Sequence, residues 1–242
     1  MEPGKWQCLL PFYRVFVDVM PGDISAFVAM SDLQGREKKG SNRLLGEVVA
    51  EELAVLEELG EVPKIDLTIL AGDLYDYPDC NKKAGTGDIS SVLNAFAAHF
   101  PNVVAVLGNH DMLGQAALAD NVTVLDGDSC MIKGIIIGGV SGIIGRPGKN
   151  QRKDEASFLK AMEKATRKGL DLLVLHEGPK GPELDQYGSE AIKEFLLCQK
   201  RIGLVLFGHS FWERPLERIG AVDVLNLDSR VFVFTRATKS PA

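Results

Sequence analysis

The sequence is short of the features that mark an exported, cross-linked or membrane-held chain. Its four cysteines, Cys8, Cys80, Cys130 and Cys198, are scattered with no CxxC pair, so neither a disulfide framework nor a thiolate zinc site is written in it. No apolar run approaches a membrane span. The N-terminal stretch is interrupted by Pro11, Arg14 and Asp18, and residues 135–144 amount to about half a span and carry glycines. No repeat or Pro/Ser-rich linker divides the chain. Basic residues number 27 against 33 acidic ones, a net charge of -6, so the extended cationic footprint needed to hold duplex nucleic acid is missing. These absences lead us to expect a cytoplasmic protein with no membrane and no long-duplex nucleic acid as partner.

What is present is an ordinary globular composition, 45% hydrophobic and 25% charged over 242 residues. We expect one domain over residues 26–236, preceded by an extension (1–25) packed on it and followed by a frayed tail (237–242). Strands are expected at 26–30, 65–70 and 103–107. Between them lie a helix over 41–59, with Leu45, Val49, Leu53 and Leu56 on one face, and a second helix that opens near Asp88. Short β-type runs follow at 122–125, 130–132 and 135–140. A helix ending at Gly169, a strand over 172–175, a helix capped by Ser189 and a strand over 204–207 come next, and 222–227 and 230–234 close the chain.

The polar residues at the strand ends form a pattern. Asp32, Asp73, Asn109-His110-Asp111, His176 and His209 each stand just after a predicted strand, where open α/β sheets place their ligand sites. Singly, each has a plain explanation: aspartate forms turns, and Asn109 tolerates a positive φ. Yet the chain has only four histidines, and three of them occupy these ends; we assign no chemistry to His99.

Gly72-Asp73-Leu74-Tyr75-Asp76 resembles the GDxxD block of calcineurin-like metallophosphoesterases, residues 108–111 spell their GNHD, and Gly208-His209-Ser210 resembles the start of their GHxH. The resemblance runs from about residue 26 to 234. It implies an α/β fold, an αββα sandwich of two mixed sheets flanked by helices, and a phosphoesterase that uses two divalent metal ions. By the family pattern Asp73 bridges the ions, Asn109, His176 and His209 complete the second position, and Asp32 binds the first. His110 is the general acid, with Asp111 or Asp76 orienting its ring.

Two departures fall on the first position. The chain has Asp32-Leu33-Gln34 where the family has DxH, and Phe211 where GHxH has its last histidine. Gln34 still offers an amide oxygen, as in relatives that cleave nucleotide diphosphate derivatives. We therefore expect a whole second position and a weakened first one that favours manganese, with magnesium, iron or zinc as alternatives. Arg36, Tyr75, Tyr77, Trp212 and the basic 146–153 segment are candidates to touch a small phosphodiester, nucleotide or phosphomonoester. The alternatives are a catalytically inactive scaffold of the same fold and a single-metal binding protein.

Overall fold

The computed structural model describes residues 9–20, 22–38, 40–80 and 85–237. The first eight residues and the end of the expected tail, 238–242, lie outside the described residues.

Strands β1 (Phe12–Val17), β2 (Ala26–Ser31), β3 (Ile65–Leu70), β4 (Val103–Ala105) and β5 (Val122–Val124) join the last strand, β12 (Arg230–Arg236), in one six-stranded sheet. The second sheet holds β6 (Asp128–Ile132), β7 (Ile135–Val140), β8 (Leu170–Glu177), β9 (Ile202–Gly208), β10 (Leu216–Ile219) and β11 (Val222–Asn226). Their orders are β1-β12-β2-β3-β4-β5 and β10-β11-β9-β8-β7-β6. Both sheets are mixed. In the first, only β12 runs antiparallel to its neighbour β2; in the second, β10 and β6 run antiparallel at the edges.

The period of two in the strands decides which layer each side chain enters. From β2 and β3, Phe27, Ala29, Leu67 and Ile69 point between the sheets to meet Ile137, Leu172, Val174 and Leu206. Their alternates Val28, Met30 and Leu70 face the opposite way, against helices α1 (Leu45–Glu58) and α2 (Ser90–His99). On the far side Leu173, Leu175, Val205 and Phe207 pack under α3 (Glu155–Thr166) and α4 (Glu190–Leu197). The result is an αββα sandwich. Because the central strands are covered on both faces, they read in the sequence as unbroken apolar runs.

Within the two large sheets the structure adds two strands to those expected, and two short two-stranded ribbons (87–88 with 111–112, and 143–144 with 152–153) lie outside them. Residues 12–17, expected as part of an extension, pair in parallel with β12 at the sheet edge, and β10 pairs with β11. Helix α1 starts at Leu45, later than expected, without a side-chain cap. No helix among the described residues is long and apolar enough to cross a membrane.

Within β3 the hydroxyl of Thr68 is fully buried and lacks a hydrogen-bond partner. Leaving such a group unsatisfied costs about 1–3 kcal/mol, and valine has the same shape without it. Thr68→Val is expected to raise Tm by about 2–12 °C in calorimetry, at 2–4 °C per kcal/mol for a chain of this size. A fall would show that the hydroxyl has a role that burial hides.

Candidate metal centre

All the expected strand-end residues gather at one edge of the sandwich, and both sheets contribute. Asp32 and Gln34 follow β2, Asp73 follows β3, and Asn109 and His110 follow β4; His176 is the penultimate residue of β8 and His209 follows β9. One ligand atom each from Asp73, His176 and His209 lies within 4.8 Å of the other two. His176 Nε2 is 3.5 Å from Asp73 Oδ2 and 3.3 Å from Asn109 Oδ1. Its other nitrogen, Nδ1, is 2.8 Å from the Ala71 carbonyl. Donation to that carbonyl fixes the tautomer and turns Nε2 toward the cluster, as a metal-binding imidazole requires. Gln34 Nε2 stands 3.3 Å from Asp73 Oδ2, so a half-turn of the amide brings its oxygen to the same place.

The backbone is bent to make this cluster. Asp32, Asp73 and His209 have φ of 54°, 53° and 68°, left-handed conformations that cost about 1 kcal/mol or more each in a non-glycine residue. Asn109 is not among the positive-φ residues, so turn formation does not explain it. Gly108 is required by contact: a Cβ there would fall on the Asp73 carboxylate and its backbone nitrogen. A Cβ at Gly72 would in turn meet Gly108 and His176 Nδ1.

The electrostatics show why the cluster calls for a cation. Burial lifts Asp32 to about 8, with Asp228 and Asp73 adding repulsion against the pull of His176. Burial alone would raise Asp73 and lower His176. Their mutual attraction overrides it, holding Asp73 at about 2 and His176 at about 10. His209 falls to about 4 through burial and the neighbouring His176 charge, so it is a neutral imidazole with a lone pair to offer. A proton on His176 or a divalent ion answers this concentration of carboxylate. Nitrogen and hard oxygen donors of this kind fit a divalent transition metal, whose binding would release the proton.

The calcineurin-like phosphoesterase family model matches residues 26–212. The chain belongs to this family. One solved structure superposes with a TM-score of 0.58 at 13% identity, covering 84% of this chain and 90% of that one, and supports the fold alone. Phosphopantetheinyl hydrolase from Mycobacterium tuberculosis matches at 15% identity and a TM-score of 0.48, over 88% of this chain and 90% of its own. The 5'-nucleotidase from Candida albicans matches at 15% and 0.45, over 90% of this chain and 46% of its own. No curated protein sequence matches this family member.

Several expected roles are corrected by the geometry. Neither Asp111 nor Asp76 backs the His110 ring, whose Nδ1 meets the Thr86 hydroxyl at 3.2 Å. Asp111 is buried and instead accepts the backbone N–H groups of Gly108, Asp73 and Leu74 at 2.7–2.8 Å, clamping two motif loops together. Asp76 accepts from Tyr77 N. Trp212 is fully buried against Phe207 with its indole N–H on the Tyr187 carbonyl, so it is core and cannot reach a substrate. Arg36 directs three nitrogens at the carbonyls of Asp76 and Asn42 and lies over the Tyr75 ring, which makes it a loop tie. Phe211 is half exposed, its ring 4.1 Å from the Arg230 guanidinium.

The basic 146–153 segment lies on the GNHD turn. Asn150 Nδ2 donates to the carbonyls of Asn109 and Asp111, and Arg152 is close enough to act electrostatically on His209 and Glu177. Sequence reasoning missed Thr86 and Asp228. Nothing in its sequence neighbourhood singles out Thr86, but Asp228 stands just beyond a predicted strand, the same signal that marked the other residues.

Proposed function

We propose that the protein is a metal-dependent hydrolase of small phosphate esters, with two divalent ions, manganese foremost, held by Asp32, Gln34, Asp73, Asn109, His176 and His209. The observation that carries this reading is the convergence of Asp73, Asn109, His176 and His209 from both sheets on one point, with the Asp73 carboxylate and the His176 ring each oriented by a backbone partner. Ions held there supply Lewis acidity and lower the pKa of water for attack on phosphorus.

The chain's own residues do the rest. With Nδ1 paired to Thr86, His110 has Nε2 left to hand a proton to the departing oxygen. Asp73 Oδ1 accepts the His110 backbone N–H at 3.0 Å, which sets the distance between acid and cluster. Arg152, on the segment braced by Asn150, adds positive charge at the rim where a phosphate enters. Localised positive charge on an otherwise acidic protein suits a small ester better than a polymer. Free thiols at Cys80, Cys130 and Cys198 fit a reducing compartment and support a cytoplasmic setting.

Turnover of bis-p-nitrophenyl phosphate or p-nitrophenyl phosphate with added manganese tests the proposal, and the preferred ester separates diesterase from monoesterase. Asn109→Ala is expected to lower kcat/KM by about 100-fold or more, the scale of losing a preorganised polar group at a reacting centre. Absence of turnover with metal bound would favour the scaffold reading.

A further inference from the structure

The turn between β11 and β12 crosses from one sheet to the other at the metal centre. Leu227 N bonds to Phe207 O at the end of β9, and Ser229 N bonds to Ser31 O at the end of β2. Asp228, between them, makes an isolated parallel bridge to Ser31. Its backbone is thus anchored beside the two residues that precede Asp32 and His209 by one and two positions.

The same link runs through side chains: His209 N donates to Asp32 Oδ2 at 2.9 Å, and Ser31 Oγ donates to it at 2.7 Å. Asp228 is 9% exposed, and among the described residues its carboxylate accepts one hydrogen bond, from Ser229 Oγ to Oδ1. It is close enough to Asp32, Asp73 and His176 for their charges to interact.

Among the described residues neither Asp32 nor Asp228 has a lysine or arginine within ion-pair distance. The nearby guanidinium of Arg230 is engaged by Asn226 Oδ1 and the Trp212 carbonyl and lies over Phe211. Two sequestered carboxylates whose cationic neighbours, His176 for both and Arg230 for Asp228, lie beyond ion-pair distance are costly unless a cation is shared between them.

We propose that Asp228 is a ligand of the first metal position, replacing the imidazole lost at Phe211. With Asp32, bridging Asp73 and Gln34 it makes that position all oxygen, whereas the second keeps Asn109, His176 and His209. Such a set selects hard ions, manganese or magnesium, over zinc.

This inference rests on the two-ion phosphoesterase reading, and counting metal separates the two. Manganese bound per chain is measured by calorimetry and by elemental analysis after desalting, for the wild type, Asp228→Asn, Asp228→Glu and Asn109→Ala. The wild type is expected to hold two ions. Asp228→Asn keeps one at unchanged affinity and loses the other by about 100-fold or more, since even outer-shell changes cost 10–100-fold. Asp228→Glu recovers the second ion in part, and Asn109→Ala weakens the opposite one.

With chelator present, Asp228→Asn should melt no lower than wild type, because the amide keeps the acceptor for Ser229 and removes a like charge. A lower melt would make the carboxylate a packing element and overturn the proposal. Two ions bound unchanged in Asp228→Asn, or a wild type that holds only one ion and keeps it in the variant, would overturn it alone. A wild type that binds no ion would overturn the phosphoesterase reading together with it.

Discussion

Asp73→Asn is expected to empty the metal centre and to lower kcat/KM by on the order of 10³-fold or more, the scale of removing a preorganised charged group from a reacting centre. Asp73 touches every part of the cluster: His176 at 3.5 Å, Gln34 at 3.3 Å and the His110 backbone at 3.0 Å. An amide replaces one anionic oxygen with a donor that faces the same groups.

The companion variant Asp32→Asn is expected to lose the first ion as well, but the two should differ in stability with chelator present. Asp73 has its pKa depressed to about 2, so its charge stabilises the fold above the ordinary carboxylate range, and that contribution is lost as pH falls through the folded value. Its removal should lower Tm at neutral pH. Asp32 is lifted to about 8, so its charge opposes folding increasingly from the ordinary carboxylate range up to that value, and its removal should raise Tm at pH 7. Metal content, steady-state kinetics and melts in chelator measure all three effects. Retention of two ions by Asp73→Asn would refute the assignment of the centre.

A structural loss is expected from Asp111→Asn, although the change is nearly isosteric. The carboxylate accepts three backbone N–H groups, two of them through Oδ2. An amide has one acceptor oxygen, so at least one buried N–H must face an NH₂ group. Charge-assisted bonds are worth about 1.5–3 kcal/mol each, so the lost bond is expected to lower Tm by roughly 3–12 °C, offset in part by removal of a charge whose pKa burial and Asp73 push up to about 6. If Asp111 oriented His110 instead, Asp111→Asn would lower kcat and leave Tm in place.

The layers and the motif edge were legible in the sequence because doubly covered strands are apolar throughout and end on polar residues, as in residues 65–73. Edge strands were not. Residues 12–17 leave Phe12, Tyr13 and Phe16 partly exposed at the sheet margin, so no clean alternation marks them. Within the site, the residues carrying ligand chemistry stood out by type and position. Their partners did not, because the Thr86 contact to His110 and the use of Asp111 depend on how loops far apart in sequence meet. Trp212 misled for the converse reason: adjacency to a motif does not fix which way a side chain points, and its neighbour Phe211 took the outward place.

The proposed ligand set runs from Asp32 to His209 and draws on both sheets, so the centre cannot be assembled by any early fragment of the folding chain. The first sheet also waits for β12, its latest strand in sequence, to fill the place beside β2. Long-range pairing of this kind is slow to form. If the centre holds ions as proposed, their capture would report that both sheets have met, and a half-folded chain would lack the site altogether.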